Sequence, residues 1–187
     1  MRAKKAALLS THRNNDQLLD FAKGLAEQGL DLLSTTATNR FLMQQGIPSA
    51  DIGEGDEALL KYVGDERIIL VYVDLSPFPY PGNEVREGGD FNKVIHQTDI
   101  GGSTLLRAAA KNRIYVVSRP DQFDLVLENM SSQNDPNPFR QAKFTHAFLS
   151  GLAMMAEETV AAYATASATF HRDVFYGEFP RLQRTAA

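Results

Sequence analysis

The hydrophobic positions in the first half of the chain alternate between short continuous runs and helical spacing. Residues 5–10 form an apolar run, which predicts a short buried strand. After Asn15 the apolar residues recur at the spacing of an amphipathic helix; they are Leu18, Phe21, Ala22 and Leu25. A second strand at 30–33 and a helix that stops at Gly46 repeat this order. The alternation indicates an α/β protein whose parallel sheet is covered by helices.

The second half of the chain continues this order. Residues 67–73 are almost entirely apolar and β-branched, which predicts a central strand buried on both faces. We predict a helix at Ser103–Asn112, a strand at 114–118 and a helix from Pro120 to about Met130. The alanine-rich segment 139–169 carries an aromatic stripe, so we expect a long helix that packs across the sheet or against a second copy. The predicted fold is a three-layer α/β sandwich with a mainly parallel sheet and a long C-terminal helix.

Composition bounds the classes of protein that fit. A chain of 187 residues that is 43% hydrophobic is long enough for one well-buried core, so we expect residues 1–187 to form one domain, with a sheet core over 1–130 and a helical segment over 138–170. The formal net charge of −4 argues against a general nucleic-acid binder. No apolar stretch approaches the roughly 20 residues of a membrane span. The sequence therefore predicts a cytoplasmic protein without a membrane or nucleic-acid partner.

Metal and thiolate chemistry find no support in the sequence. The chain contains no cysteine, which excludes disulfides and thiolate catalysis. Its four histidines are scattered at no metal-binding spacing. We therefore predict no metal site.

Polar residues follow the first, second and central strands. In a parallel sheet these loops lead into helix amino termini, whose N–H groups and dipole suit a phosphate. A hydroxyl-rich helix entry is by itself more often only an N-cap, but two such loops on neighbouring strands favour an anion site. The candidate anion-binding residues are Ser10, His12, Arg13, Ser34, Thr35, Thr36 and Thr38.

The run from Asp99 to Asn112 concentrates an acid, two glycines, two hydroxyls, an arginine and a lysine. Its glycines permit a close backbone approach. Ser103 or Thr104 is suited to cap the helix that follows. Asp99 then lies just outside the helix start and Lys111 near its end. The plain alternative is an ordinary capped helix with polar ends.

The pattern Asp-Ile-Gly-Gly, followed by Leu-Arg-Ala-Ala-Ala-Lys-Asn, resembles the signature of the IMP cyclohydrolase domain, the amino-terminal half of a bifunctional purine-biosynthesis enzyme. Four further segments follow in the order of that family; they are Ala7–Ser10, Leu33–Thr38, Val73–Phe78 and Lys143–Ala147. The resemblance covers most of residues 5 to 150. It implies a methylglyoxal-synthase-like fold and a homodimer.

The chain departs from this family in two places. Between Asp51 and Arg67 it is much shorter, and the Lys-Thr-Leu-His-Pro segment that supplies a catalytic lysine has no counterpart. Ser76 replaces a family tyrosine, and Tyr80 in the same loop is a candidate to stand in for it. The residues considered for the missing lysine are Lys61 and Lys93. We also expect no formyltransferase domain.

The resemblance implies a reaction without a metal or redox cofactor. A carboxamide nitrogen attacks a formyl carbon of the same imidazole ribonucleotide, and loss of water then gives the purine ring. By this resemblance Asp99 would position or deprotonate the carboxamide, and Lys111 would shuttle the proton. The N–H groups of Ile100 and Gly101 would act as donors. The other residues assigned to the ribonucleotide are Asp74, where the family has an asparagine, together with Pro77 and Gly102.

Three functions are compatible with these residues. The leading interpretation is an enzyme of IMP cyclohydrolase type, or a close paralogue acting on a related ribonucleotide, because Asp99 and Lys111 are retained. The second is a catalytically silent module that binds or senses a purine ribonucleotide, favoured by the loss of the lysine segment and the tyrosine. The third is a methylglyoxal-synthase-like lyase, in which the Asp-Ile-Gly-Gly helix would have no counterpart.

Overall fold

The computed structural model describes residues 4–78, 91–132 and 138–178, except for the side chains of 91, 93 and 138–145. Five parallel strands form one sheet in the order β3-β2-β1-β4-β5. They are β1 (Ala6–Thr11), β2 (Asp31–Ser34), β3 (Ala50–Asp51), β4 (Ile68–Asp74) and β5 (Tyr115–Val117). The predicted α/β fold with a parallel sheet is confirmed.

Helices connect the strands and cover the sheet. They are α1 (Asp16–Glu27), α2 (Thr36–Gln44), α3 (Gly55–Leu60), α4 (Phe91–His96), α5 (Ile100–Asn112), α6 (Phe123–Ser132) and α7 (Pro138–Glu178). Helix α1 begins where the sequence predicts, because the Asn15 side chain accepts the N–H of Leu18 at 3.0 Å. Pro120 opens a short 3₁₀ turn that leads into α6. The two-residue β3 and the six-residue α3 and α4 were not predicted, since such short elements carry no periodic pattern.

The sheet places β1 in the middle, not β4. The prediction of a buried strand inside the sheet at 67–73 is confirmed, since β4 pairs with β1 and β5 and is buried along most of its length. Beneath the sheet, Phe21 stacks on Phe123 with ring centroids 4.1 Å apart, and Tyr72 meets both rings edge-on. Such packing fixes α1 and α6 against β4.

The terminal helix α7 is 41 residues long and packs along α5 and β5. It extends past the predicted end at 169. Leu152, Ala156 and Phe170 are fully buried on its inner side. The prediction that this segment packs across the sheet domain is confirmed by these contacts, and one consequence is that α7 reaches the edge where the strands end.

Candidate functional site

An ion pair with a buried carboxylate joins the loop after β1 to the end of β4. Arg13 donates from Nε to Asp74 Oδ2 at 2.8 Å and from Nη2 to Oδ1 at 2.7 Å. The Thr11 hydroxyl donates to Asp74 Oδ2 at 3.2 Å. The Asp74 side chain is only 4% exposed, whereas that of Arg13 is 60% exposed. Hydrogen bonding to Asp74 raises the pKa of the guanidinium, which stays cationic.

His12 belongs to the same cluster. Its Nδ1 lies 3.1 Å from the carbonyl oxygen of Asp74 and 3.4 Å from Oδ2. Asp74 thus orients both basic residues of the first loop. The role expected for Asp74 toward a ligand base stays a prediction, since in this structure its carboxylate is engaged by Arg13 and Thr11.

Three hydroxyls predicted to bind an anion are buried in the protein instead. Ser34 is fully buried and its Oγ lies 2.6 Å from that of Ser49. Thr38, also fully buried, bonds the backbone N–H and carbonyl of Thr11 at 3.3 Å each. Thr35, which is 5% exposed, donates to Thr38. In this structure their hydroxyls tie β2 and α2 to β1, and their contact with a ligand stays a prediction.

The amino terminus of α2 is occupied by the chain's own oxygens. Glu54 accepts the N–H of Ala37 at 2.5 Å, and the carbonyl of Gly53 accepts that of Thr36 at 3.2 Å. The Thr36 hydroxyl donates to Asp51 at 2.8 Å. The N–H of Gly53 and this hydroxyl lower the pKa of Asp51. A ligand phosphate at this helix start would have to displace the Glu54 carboxylate.

Helix α5 begins at Ile100, three residues before the predicted start, because Asp99 is its cap. Asp99 Oδ1 accepts the N–H of Gly102 at 2.7 Å, and its carbonyl accepts the hydroxyl of Ser103 at 2.8 Å. Ser103 and Thr104 therefore lie inside the helix, contrary to the prediction that one of them caps it.

The two glycines of α5 are needed for close approach, as predicted. A Cβ on Gly101 would lie 2.6 Å from Asp56 Cα, and one on Gly102 would lie 2.8 Å from each carboxylate oxygen of Asp99. The N–H of Gly101 donates to Asp56 Oδ1 at 2.6 Å. That donor, which the sequence assigned to a ligand, is therefore already engaged.

Asp99 lies half-buried between α3, the β1 loop and α7. Burial raises its pKa, as does the charge of Asp56, while the N–H of Gly102 and His12 act in the opposite direction. The structure gives Asp99 no ion pair with any residue that it describes. The carboxyl group is therefore a stronger proton acceptor than an exposed aspartate.

Tyr163 of α7 completes this environment. Its hydroxyl oxygen accepts the backbone N–H of Asp99 at 2.7 Å, and its ring meets Phe78 edge-on with centroids 5.5 Å apart. Burial raises the pKa of Tyr163, and the charges of Asp99 and Asp56 raise it further. Sequence reasoning missed Asp56, which lies in the shortened segment. For Tyr163, sequence reasoning predicted only a packing role in the aromatic stripe of the long terminal helix.

Lys111 lies at the other end of α5 from Asp99. At 1.5 Å per residue the helix separates the two positions by about 18 Å. The expectation that both touch one small ring stays a prediction. Lys61 is exposed and lies 3.7 Å from Glu57 on the same helix.

The remaining predicted residues are more exposed or lie elsewhere. Ile100 is 55% exposed at the start of α5. Ser10 is half-buried on β1, Ser76 is half-buried just after β4, and Pro77 is exposed beside it. Tyr80 and the side chain of Lys93 fall outside the described residues.

Neither a metal centre nor a membrane span is found within the described ranges. The side chains described there contain no group of three or more histidines and carboxylates that could hold a metal ion. None of the helices in these ranges combines the length and apolar character needed to cross a membrane.

Part of the chain matches a known protein family. Residues 17–104 match the family described as "MGS-like domain". This part of the chain is similar to an MGS-like domain. That match includes Asp56, Asp99 and both glycines of α5, while Arg13, Lys111 and Tyr163 lie outside it.

The chain also resembles two curated proteins at similar levels. The bifunctional purine biosynthesis protein PurH of Brucella anthropi is 29% identical over 217 residues, with 94% of this chain and 40% of that protein covered. PurH of Mycobacterium marinum is 29% identical over 208 residues, with 94% and 37% covered. The chain thus spans about two fifths of the length of these relatives.

A solved structure supports the fold. The crystal structure of ForH superposes with a TM-score of 0.64, covering 89% of this chain and 97% of that one at 22% identity. At this level of identity the likeness concerns the architecture alone. It extends the similarity beyond residues 17–104 to most of the chain.

Proposed function

We propose that this protein binds an imidazole ribonucleotide at the carboxyl edge of its sheet and closes the purine ring by cyclohydrolase chemistry, in the cytoplasm. The observation that carries the proposal is the environment of Asp99. It is a half-buried carboxyl with a raised pKa, fixed at the start of α5 by a hydrogen bond from Gly102. The similarity to bifunctional purine biosynthesis proteins supports a ligand of the purine-ribonucleotide class.

Asp99 is suited to act as the general base for ring closure. In the proposed reaction the carboxamide nitrogen attacks the formyl carbon and gives up a proton to the Asp99 carboxylate. Both reacting groups belong to one molecule, so holding them in the attacking geometry supplies several kcal/mol. The positive end of the α5 dipole, at Ile100, favours the negative charge that develops on the formyl oxygen.

Arg13 is the residue that we assign to the ribose phosphate. The Asp74 carboxylate holds its guanidinium through Nε and Nη2, and Nη1 takes no part in that pair. An arginine fixed in this way presents its remaining donors in a defined direction, which suits a phosphate oxygen. His12 lies beside it on the same loop.

The test is an assay with the formamidoimidazole carboxamide ribonucleotide, following the appearance of purine absorbance. We expect Asp99→Asn to lose roughly 100- to 10,000-fold in kcat, which is the range of general base catalysis. Asparagine still caps a helix, so α5 should keep its start. Asp20→Asn, at an exposed carboxylate on α1, is the matched control. Equal turnover by the wild type and Asp99→Asn would rule out this role.

A second function is favoured by two observations. Lys111 lies at the far end of α5 from Asp99, and Glu54 occupies the start of α2. Both fit a module that binds a purine ribonucleotide without converting it. Calorimetry with IMP, run beside the assay, separates the two functions, because the silent module binds IMP and shows no turnover.

We further propose that the protein is a homodimer, as the resemblance implies. Exposed apolar side chains on α7, Met154 and Phe175, are compatible with such an interface. Light scattering on the purified chain tests this. A monomer at all concentrations would contradict it.

A further inference from the structure

The hydroxyl of Tyr163 has an unused proton beside Asp99. A phenol oxygen can accept two hydrogen bonds and donate one. The Tyr163 oxygen accepts from the Asp99 N–H at 2.7 Å. Within the part of the chain that the structure describes, its O–H has no acceptor. The hydroxyl is thus fixed in place by the bond it accepts, and its proton remains available to a ligand.

The position of this oxygen is set by packing on both sides. The Tyr163 ring packs edge-on against Phe78, which follows β4. The Phe78 ring centroid lies 6.0 Å from that of Phe170, which is fully buried. Leu152 and Ala156 anchor the preceding turns of α7 in the core. A hydroxyl held in this way needs little reorganisation when charge develops next to it.

We propose that Tyr163 is a catalytic acid of this site and donates its proton to the oxygen derived from the formyl group. This inference rests on the proposed ring closure. Tyr163 lies outside the residues that match the MGS-like domain. The terminal helix would therefore supply a reacting group and not only cover the sheet.

The electrostatic surroundings keep this phenol protonated. Burial raises the pKa of Tyr163, and the charges of Asp99 and Asp56 act in the same direction; together they outweigh the hydrogen bond from the Asp99 N–H, which lowers it. A phenol with a raised pKa carries its proton throughout the neutral range. It can therefore donate at the pH at which Asp99 accepts.

The two residues together balance the reaction. In the first step the carboxamide nitrogen bonds to the formyl carbon and passes a proton to Asp99, while the carbonyl electron pair moves to oxygen, which takes the Tyr163 proton. In the second step the carbon–oxygen bond breaks and its electrons leave with oxygen. Asp99 returns its proton to that oxygen, which departs as water, and the former formamide nitrogen passes its proton to the Tyr163 phenolate. Both side chains end as they began.

The first experiment compares the wild type with Tyr163→Phe, which keeps the ring against Phe78 and removes the hydroxyl. We expect kcat to fall roughly 100-fold or more, as for loss of an acid catalyst, and the affinity for IMP in calorimetry to weaken several-fold. Tyr176→Phe, which removes a phenol farther along α7, is the matched control and should retain both values. Circular dichroism checks that each variant is folded.

A second variant distinguishes acid catalysis from a purely structural role. A fluorinated tyrosine incorporated at position 163 keeps the hydroxyl that accepts from Asp99 but lowers the pKa of the phenol. An acid catalyst would shift the alkaline limb of the kcat profile to lower pH. A hydroxyl that only positions the backbone would leave the profile in place.

Each outcome supports or overturns the assignment. If Tyr163→Phe loses turnover and the fluorinated variant shifts the profile, Tyr163 is an acid. If the wild type binds IMP without turnover and Tyr163→Phe weakens binding, ring closure fails, the acid role fails with it, and a ligand contact remains. If both variants match the wild type while turnover persists, the Tyr163 assignment alone is wrong. If IMP does not bind the wild type at millimolar concentration, both proposals are wrong.

Discussion

Asp74 and Asp99 lie at the same edge of the sheet, yet their surroundings differ. Asp74 accepts two hydrogen bonds from Arg13 and one from Thr11. Asp99 accepts one backbone N–H, faces a second carboxylate in Asp56, and has a raised pKa. Both side chains are withdrawn from solvent. Among the described residues Asp74 is paired with a guanidinium, whereas the burial of Asp99 is opposed by the N–H of Gly102 and by His12 without a close ion pair.

The different surroundings of Asp74 and Asp99 suit two different functions. A carboxylate that is neutralised by a guanidinium stays ionised and orients its partner. A carboxylate that is desolvated without such a partner exchanges protons more readily near neutrality. The first suits an anchor for a ligand's fixed charge, and the second suits proton transfer. Three perturbations test this division.

The largest stability effect should follow Arg13→Ala. It leaves the Asp74 carboxylate buried without its cation, and we expect the free energy of unfolding to fall by about 2–3 kcal/mol. Asp74→Asn leaves only an exposed arginine and should cost about 1 kcal/mol. Urea denaturation of both variants and of the double variant measures the coupling. A larger loss for Asp74→Asn than for Arg13→Ala would contradict the anchor role.

An intermediate effect is expected for Gly102→Ala. The new methyl group would lie 2.8 Å from both carboxylate oxygens of Asp99 and 2.9 Å from Leu75. Displacing these groups should lower the free energy of unfolding by about 1–2 kcal/mol. Because Asp99 is displaced, turnover should fall as well. Gly151→Ala on α7 meets no atom within 4 Å, so this control should be neutral or stabilise by up to about 1 kcal/mol. Thermal unfolding measures the stability of each variant, and the ring-closure assay measures its turnover. If Gly102→Ala and Gly151→Ala had the same stability and the same turnover, close packing around Asp99 would be excluded.

The smallest effect is a pH dependence of stability. The folded pKa of Asp99 lies above the value of 3.8 for an unperturbed aspartate. Between these two pKa values the folded state binds more protons than the unfolded state, so the contribution of Asp99 to stability falls as pH rises. The free energy of unfolding of Asp99→Asn, minus that of the wild type, should therefore rise over this window and level off above it. Asp56→Asn removes a charge that raises the pKa of Asp99, so it should narrow the pH range over which this stability difference changes. A stability difference between Asp99→Asn and the wild type that stays constant with pH would refute the raised pKa.

Much of the fold could be read from the sequence because its elements are long and periodic. The helix after Asn15 and the run at 67–73 each carry a strong local pattern, and both form where predicted. The six residues of α3 carry no such pattern, although they bring Asp56 to the start of α5. The position of β4 beside the middle strand follows from sheet order, which no local pattern encodes.

The site was less accessible to sequence reasoning because its members are distant in the chain. Asp99 was placed correctly outside a helix start. Tyr163 reaches it from 64 positions away, and only the docking of α7 reveals the contact. The pairing of Arg13 with Asp74 likewise depends on β1 and β4 being neighbours. The internal bonds of Ser34 and Thr38 were not foreseen, because sequence composition does not show which way a hydroxyl points.

The pairing of β1 with β4 has a consequence for how this protein reaches its native state. The Arg13–Asp74 contact closes a loop of 61 residues, and contacts of such separation slow folding because chain entropy is lost before they form. The anchor for a ligand's charge therefore exists only once the middle of the sheet has assembled. A ribonucleotide that binds there would recognise the native state alone and raise the melting temperature in proportion to the logarithm of its concentration.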